Sequence, residues 1–575
     1  MITRLAIVTL LLFLISTIFV IQSLSFHVCL PFLGKRKVTI GLMTAPMIII
    51  AILWASQCLG ATQIRKGIVG TDNLKPYNIP IVFISLAYMA VTLDATGIFQ
   101  TAAIWVSNKG GSSGRKLYLY LHVLFTLISM VVGNDSLILF VTIFLARHTA
   151  ATSLYPHAWL ISEFAAANAA SMVLLVGNPT NLIICDNLRI SHAAFTAYTV
   201  LPFVACSIAC YLALMLQYRN EKHVPRKLNV SGHLTPRDGL RDPVSAIVGS
   251  IWLATCLIVV MALTFFHIDI WKIVLPFAGG KLIFDVSWDH YRYSKGKIPK
   301  LNENKPDDVN STDNPGPMAI ELRRATSEGT QRSPTSKSFT DSPQQHEDIS
   351  GNEPQQPEST VHPFLNSNLQ RAPLPTPPPS ATNHRASLTS QHRLSFKYKR
   401  LAAQFPTVFT ALPRLPFVLV PFAFSQFILI EALEHQGWIE IFARWLIAAS
   451  NKQVIPVVWL VGVSGVVLCN IAGTNIGATI LLTKIIRASD FPEGTARAAA
   501  VSLAVASNIG AVNFTFAASL GGLRWVAMLK DEGIKIKWWK FAMWNMLPLV
   551  AMMGAGFGVD IGKEKEGRIK NVFMG

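Results

Sequence analysis

Long runs of apolar residues alternate with short polar segments along most of the chain. Because about 20 consecutive apolar residues span a bilayer as a helix, each run predicts a membrane segment. The runs cover residues 5–33, 38–60, 79–106, 117–146, 158–185, 193–216, 244–266, 416–433, 454–483, 498–523 and 541–561. The pattern predicts an all-α polytopic membrane protein with about 10–12 transmembrane segments.

The first of these runs, residues 5–33, resembles the core of a secretory signal peptide. An apolar core longer than about 15 residues exceeds the length that such a peptide uses. We therefore expect this run to form the first membrane helix.

Composition agrees with the hydropathy pattern. Hydrophobic residues make up 51% of the 575-residue chain and charged residues 14%, and the mean hydropathy is +0.41. Soluble domains carry about 25% charged residues, so the values exclude an ordinary water-soluble enzyme. No phosphate-binding loop motif and no complete zinc-protease motif occurs, and we expect neither an enzyme nor a cofactor.

The net charge of +18 has a membrane explanation. Lysine and arginine concentrate in short loops between apolar runs, for example at residues 35–37 and 219–241, as positive-inside orientation requires. We expect a lipid bilayer as the partner and no nucleic acid. The seven cysteines all lie in apolar runs without a Cys-x-x-Cys pair, so neither a disulfide framework nor a metal site is expected.

One long polar segment, residues 285–400, divides the chain. It is rich in Pro, Ser, Thr, Asn and Gln, and its flanks are basic, which predicts a disordered loop on the cytosolic side. The predicted organisation is a membrane half at residues 1–284, the loop at 285–400 and a second membrane half at 401–575. The loop is interpreted either as a passive linker or as a segment that a kinase regulates.

Polar interruptions inside the apolar runs are the most informative feature. In the first half, Asp135 is the only Asp, Glu, Lys or Arg in residues 117–146, and Gly133, two residues before it, favours a break in the helix. In the next run, Pro179 forces the helix to unwind at Asn178 and to restart near Thr180. Unwound backbone at membrane depth is tolerated only against protein or a water-filled cavity, so a transport site is indicated.

The second half repeats these interruptions. Asn134 and Asn178 are 44 residues apart, and Asn470 and Asn513 are 43 apart. Paired, interrupted segments of this kind favour two repeats, inverted relative to each other, with helical hairpins and broken helices that meet at the midplane.

The motifs resemble a known family. Residues 93–99, 133–136 and 165–181, with the sequence V-G-N-P-T-N-L at the end of the last segment, and residues 415–417, 427–437, 507–510 and 519–525 are similar to the arsenical-pump (arsenite/antimonite efflux) branch of the citrate transporter-like ion transporter superfamily. The resemblance implies a secondary transporter that exports a small metalloid oxyacid in exchange for protons. The second hairpin lacks the usual proline of that branch, and Arg524 replaces an apolar residue. A di- or tricarboxylate transporter, a Na⁺/H⁺ exchanger and an anion channel stay open as alternatives.

The candidate site follows from the interruptions. Asp135 is the candidate for proton coupling, because a desolvated carboxylate can carry a proton. The residues expected to contact the solute or the coupling ion are Asn134, Asp135, Ser136, Asn178, Thr180, Asn181, Asn470, Thr474, Asn475, Asn508 and Asn513. The alternative is that these side chains only cap broken helices. Glu163 and Glu434 lie near the ends of runs and are expected at the membrane interface.

The expected partners are an inorganic or organic solute, a coupling ion (H⁺ or Na⁺) and the bilayer. A homodimer and a kinase acting on the loop stay open as further partners. We expect an integral multi-pass protein of the plasma membrane or of a vacuolar or endosomal membrane.

Overall fold

The fold is described from a computed structural model. It describes residues 4–30, 34–70, 75–152, 154–228, 235, 239–263, 268–298 and 398–574. Most of the predicted loop, residues 299–397, lies outside the described residues. Helices and strands are numbered in chain order where both of their ends lie in these residues.

Helices dominate the first membrane half. They are α1 (Arg4–Ile21), α2 (Thr44–Ala55), α3 (Ala61–Val69), α4 (Asn78–Ala95), α5 (Ile98–Gly110), α6 (Gly114–Val132), α7 (Asn134–Ala151), α8 (Pro156–Ala170), α9 (Pro179–Leu188), α10 (His192–Gln217), α11 (Pro243–Leu263) and α12 (Ile270–Ser294). Strands β1 (Leu24–Leu30) and β2 (Gly34–Ile40) follow α1 and pair antiparallel, with Leu24 opposite Ile40.

The second half is also helical. It contains α13 (Pro406–Ala411), α14 (Leu419–His435), α15 (Trp438–Ser450), α16 (Val454–Ile471), α17 (Asn475–Ala488), α18 (Glu493–Ile509), α19 (Leu520–Asp531) and α20 (Trp538–Met574). Short 3₁₀ turns occur at Leu175–Gly177, Leu412–Arg414 and Phe516–Ala518.

Eight helical segments in the described part of the chain are long and apolar enough to cross a membrane. They are Arg4–Ile21, Asn78–Ala95, Gly114–Val132, His192–Gln217, Pro243–Leu263, Pro406–His435, Val454–Ile471 and Trp538–Lys563. The predicted polytopic helical membrane protein is confirmed. The remaining apolar runs form shorter helices, because breaks divide them.

Two element boundaries are wrong. The run at residues 5–33 forms the expected first helix of membrane-spanning length, α1, but this helix ends at Ile21 and a β-hairpin follows. In β1, Leu24, Phe26 and Val28 alternate with Ser25 and His27, which suits a strand rather than a helix.

The predicted loop also starts too early, because α12 continues to Ser294. Asp285 and Asp289 are 1% and 0% exposed, respectively. Asp285 pairs with the buried Lys281, and Asp289 accepts hydrogen bonds from Thr407. In the sequence, charged residues that are paired inside the protein look the same as charged residues of an exposed loop. The predicted boundary was therefore placed too early.

The order of elements in the two halves corresponds. In each half a helical hairpin (α6–α7 and α16–α17) precedes a broken helix (α8–α9 and α18–α19). Packing between the halves is reciprocal, since α7 packs on α19 and α17 packs on α9.

Helices α7 and α19 run parallel. Gly521, at the start of α19, lies beside Asp135 at the start of α7, whereas Arg147 near the end of α7 pairs with Glu532 just after α19. Reciprocal packing of this kind is what a two-fold relationship produces. The inverted orientation of the repeats stays a prediction.

Candidate functional site

The first break separates α6 from α7 at Gly133. This glycine has φ +86°, a left-handed conformation that costs other residues strain, and a Cβ at this position would lie 3.0 Å from the carbonyl oxygen of Gly177. Asn134 Nδ2 donates to Asn168 Oδ1 at 2.8 Å, and Asn134 Oδ1 accepts from the backbone N–H of Asp135 at 2.8 Å. The hairpin tip is thereby fixed against α8 and against the second break.

The second break lies between α8 and α9, where the sequence predicted it. Asn178 is extended, and its Oδ1 caps α9 by accepting from the backbone N–H of Thr180 at 3.2 Å. Asn181 Nδ2 donates to the carbonyl groups of Ser171 and Leu174 at 2.7 and 2.8 Å. The asparagines therefore bind backbone groups that the break leaves without helical partners.

The breaks of the second half use similar contacts. Asn470 Oδ1 accepts from both the N–H and the hydroxyl of Thr515. Asn513 Nδ2 donates to the Val466 carbonyl at 2.7 Å, and Asn475 Nδ2 donates to the Ser507 carbonyl at 3.2 Å. These bonds hold the hairpin α16–α17 against the α18–α19 break.

Asn508 joins the breaks of the two halves. Its Oδ1 accepts from Ser171 Oγ at 2.7 Å and from Asn178 Nδ2 at 3.0 Å, and its Nδ2 donates to Asn181 Oδ1 at 2.9 Å. Asn508, Asn178 and Asn181 are at most 1% exposed. We refer to these four residues, Ser171, Asn178, Asn181 and Asn508, as the amide cluster.

A crevice lies beside this network. It is lined by Phe83, Leu86, Ala87, Val91, Val132, Asp135, Ser136, Leu139, Val176, Arg414, Pro416 and Arg524. It contains about 360 Å³ of space free of protein atoms, including its open mouth. The wall is mostly apolar, and the charged groups are Asp135, Arg414 and Arg524.

Each arginine of the crevice has an acidic neighbour. Arg414 pairs with Asp94, with 3.3 Å between Nη1 and Oδ2. Arg524, on α19, interacts electrostatically with Asp135 on α7. Each guanidinium group therefore has a carboxyl group of the first half of the chain beside it.

The structure thus distributes the predicted residues over four environments. Asn178, Asn181 and Asn508 meet in the amide cluster, while Asp135 and Ser136 line the crevice. The others, Asn134, Asn470, Asn475 and Asn513, bond to neighbouring breaks, and the hydroxyls of Thr180 and Thr474 are buried without a hydrogen-bond partner. Helix capping is observed directly for Asn178.

Sequence reasoning missed several polar residues. Arg414 ends a 3₁₀ turn directly before the segment 415–417, and the sequence analysis did not single it out. Arg524 was noted only as a departure from the resembled pattern. Gln426, on α14, is 0% exposed, and neither atom of its side-chain amide has a partner. Among the described residues, no group of three His, Cys, Asp or Glu side chains is arranged to hold a metal ion.

The interfacial position expected for Glu163 is wrong, because this side chain is 0% exposed in the middle of α8. The alanines on either side of it in α8 allow close packing of the neighbouring helices around the carboxyl group. Glu434, by contrast, is 39% exposed and pairs with Lys484.

Broken helices that meet between two membrane halves, beside a charged crevice, define a polytopic membrane transporter. A family model described as citrate transporter matches residues 2–289, about half of the chain. The chain belongs to this family, as the resemblance of its motifs predicted.

Curated relatives carry a more specific name. The chain is 24% identical over 257 residues to an arsenical pump membrane protein of Yersinia enterocolitica, which covers 43% of this chain and 59% of the relative. It is also 24% identical over 267 residues to an arsenical pump membrane protein of Escherichia coli K12, covering 44% and 61%. The matches span about three fifths of the length of these relatives.

A solved structure was also found, the YdaH transporter of Alcanivorax borkumensis. The match covers 97% of this chain and 99% of that one, with 12% sequence identity and a TM-score of 0.39.

Proposed function

We propose that the protein is a secondary transporter that exports a small metalloid oxyacid, arsenite or antimonite, in exchange for protons. The observation that carries the proposal is the position of Asp135. Asp135 lies in the first turn of α7, the second helix of the hairpin α6–α7, and lines the crevice. It interacts electrostatically with Arg524, which belongs to the second membrane half. A solute in the crevice would contact both halves at once, as a carrier that alternates between two sides requires.

The charge balance supports an uncharged solute. Arg414 and Arg524 each have a carboxylate neighbour, so the crevice offers no excess positive charge to an anion. Arsenous acid is uncharged near neutral pH, and its three hydroxyl groups both donate and accept hydrogen bonds. Ser136 and the nearby amide side chains offer the same two kinds of group.

Basic residues flank the long polar segment on both sides in the sequence, which favours a cytosolic position for these flanks. Arg414, which lines the crevice, follows the second of these flanks in the sequence. Uptake of a solute from the cytosol for export would require the crevice to open on that side. The chain has no phosphate-binding loop motif, so the energy would come from an ion gradient or from a separate ATPase.

A second candidate is a di- or tricarboxylate transporter. The two guanidinium groups of the crevice favour it, because arginine binds carboxylates in a bidentate manner. A carboxylate substrate would have to displace Asp94 or Asp135 from its arginine.

Flux across liposomes that contain the purified protein tests both candidates. We expect an imposed pH gradient to drive arsenite accumulation, and unlabelled arsenite to exchange with the labelled solute. Liposomes with the Arg524→Leu variant serve as the matched control, and we expect them to lose this flux. Accumulation of labelled citrate, with no arsenite flux, would replace the first candidate with the second.

A further inference from the structure

Glu163 is a buried carboxyl group that the proposed function does not yet use. It lies in the middle of α8 and is 0% exposed. Its Oε1 accepts a hydrogen bond of 2.6 Å from the hydroxyl of Thr142 on α7. A side chain with this burial is isolated from both aqueous sides.

The second oxygen of Glu163 is unpaired. Its Oε2 has no hydrogen-bond partner, and the indole N–H of Trp525 on α19, which is near enough to influence the carboxyl group, is likewise buried without a partner. In the described part of the chain, none of the ion pairs includes Glu163. A charged carboxylate in such surroundings is very unfavourable, whereas a neutral carboxylic acid is tolerated.

The titratable and charged groups on the surrounding helices contact side chains other than Glu163. His148 of α7 stacks on Phe144. Helices α18 and α20 also pack against α8; Arg497 of α18 donates to Tyr198, and Lys540 of α20 lies over the ring of Trp539. On α6, His122 Nδ1 lies 3.0 Å from Ser162 Oγ, and the hydroxyl of Tyr118 donates to the carbonyl of Ala158. Tyr211 of α10 contacts the ring of His122. The charged groups of α7 and α19 also face other partners: Arg147 pairs with Glu532, and Asp135 faces Arg524. No cation in this set neutralises Glu163.

The two helices that contact Glu163 also carry the charges of the crevice. On α7, Thr142 follows Asp135 by seven residues, which is two helical turns or about 10 Å along the same face. On α19, Trp525 is the residue next to Arg524. Any movement of α7 or α19 that a solute causes in the crevice therefore changes the surroundings of Glu163.

We infer that Glu163 carries the coupling proton, a role that rests on the proposed function. While α7, α8 and α19 are packed as described here, Glu163 holds its proton as a neutral acid. When a solute in the crevice separates these helices, the O–H bond breaks, the carboxylate remains on Glu163, and the proton passes to water. Without solute, the carrier returns only with a proton on Glu163, because the bare carboxylate cannot be packed between the helices.

This assignment leaves Asp135 with a different task. Asp135 lines the crevice and interacts electrostatically with Arg524, so its position suits a residue that binds the solute together with that guanidinium group. Glu163 has no cationic partner among the described residues, so its carboxyl group is suited to alternate between the neutral and the charged form. The two acids are therefore separable by experiment.

Glu163→Gln is the direct test, because glutamine keeps an oxygen for Thr142 and a neutral charge. We expect liposomes with this variant to exchange labelled for unlabelled arsenite and to release arsenite down its gradient. Accumulation driven by a pH gradient should be lost. Glu163→Asp restores a titratable group, and we expect it to recover part of the pH-driven accumulation.

Two results would overturn the assignment: pH-driven accumulation retained by Glu163→Gln, or exchange lost together with accumulation in a folded variant.

Thr142→Val keeps the proposal testable if Glu163→Gln does not fold. Loss of the hydroxyl removes a donor to the carboxylate, so we expect downhill efflux to continue to a higher pH than in the wild type; an unchanged pH range would count against the proposal. If the wild type neither exchanges nor accumulates arsenite, the proposed function fails rather than the role of Glu163.

Discussion

Asn508 and Asn181 are 327 residues apart in sequence, yet the side-chain amide of Asn508 donates to Oδ1 of Asn181 at 2.9 Å. Both side chains are 0% exposed. The bond connects the broken helix of the second half to the broken helix of the first, so the two breaks are positioned by each other.

Replacing Asn508 with leucine should destabilise the protein. The change leaves the hydroxyl of Ser171 and the amides of Asn178 and Asn181 with fewer partners, and each stranded buried group costs about 1–3 kcal/mol. Thermal unfolding in detergent measures the loss. Asn220→Ala, at an exposed position, is the control and should leave the midpoint unchanged. An unaltered midpoint in Asn508→Leu would contradict the importance of the amide cluster.

Asp135 and Arg524 should be coupled in stability and in transport. Asp135→Asn and Arg524→Leu each leave an unpaired charge, whereas the double variant removes both charges. We expect a coupling energy of about 0.5–3 kcal/mol in a double-mutant cycle of unfolding. Flux should stay low in the double variant, because the solute contacts are lost as well. Restored flux would assign the pair a structural role only.

The buried pair Lys281–Asp285 on α12 should contribute to stability and not to transport. Both side chains are 1% exposed, and Tyr88 on α4 also donates to Asp285, at 3.0 Å. Asp285→Asn leaves a buried ammonium group, and such changes cost about 3–5 kcal/mol. Lys281→Met combined with Asp285→Leu should recover most of the thermal midpoint. A large loss of flux in the stable double variant would oppose this assignment.

The ion pair between Lys75 and Asp269 should produce a defined pH dependence of stability. The hydrogen bond to Asp269 raises the pKa of Lys75. Partial burial by itself would raise the pKa of Asp269, but the hydrogen bonds from Lys75 and Lys272 outweigh it and hold this pKa below its usual value. The stability that the Asp269 carboxylate contributes to the folded protein is therefore present above its unfolded pKa, near 4. This stability is lost as the pH falls through the lower pKa of the folded state.

The stability that Lys75 contributes depends on pH in the opposite direction. It is present below the unfolded pKa of Lys75 and is lost as the pH rises through the raised pKa of the folded state. We expect the difference in thermal midpoint between the wild type and Asp269→Asn to be constant around neutral pH. It should shrink below about pH 4. A difference that grows in acid would contradict the pairing.

Gln426 should matter for transport more than for stability. Both atoms of its amide are buried without partners, and it lies against Gly477 of α17, three residues after Thr474. Gln426→Met removes an unpaired polar group, so the thermal midpoint should stay unchanged or rise. Solute exchange should fall if a ligand or water chain normally occupies this place. Unchanged exchange would show that the amide has no role in transport.

The positions of the helix breaks could be predicted from the sequence, but the residues that each break contacts could not. Gly133, Asn178 and Pro179 act through local backbone preferences, so the interruptions could be located from neighbouring residues alone. The hydrogen bond from Ser171 to Asn508 joins residues that are distant in sequence, and nothing local indicates it. Glu163 was misplaced because hydropathy averages over a window and does not register which face of α8 is covered.

The N-terminal hairpin was missed for a similar reason. Residues 24–30 are apolar enough to extend a membrane run, and only their alternation with polar residues distinguishes a strand from a helix.

Thr407 donates two hydrogen bonds to Asp289, through its backbone N–H at 2.8 Å and its hydroxyl at 3.0 Å. Asp289 precedes the long polar segment in the sequence and Thr407 follows it, so the bonds hold the chain on either side of the segment together. The number of residues between them is then not set by a distance that they must bridge, since the free energy of closing a loop rises only slowly with its length. The position is accordingly suited to carrying a fluorescent reporter or an affinity tag without disturbing the carrier.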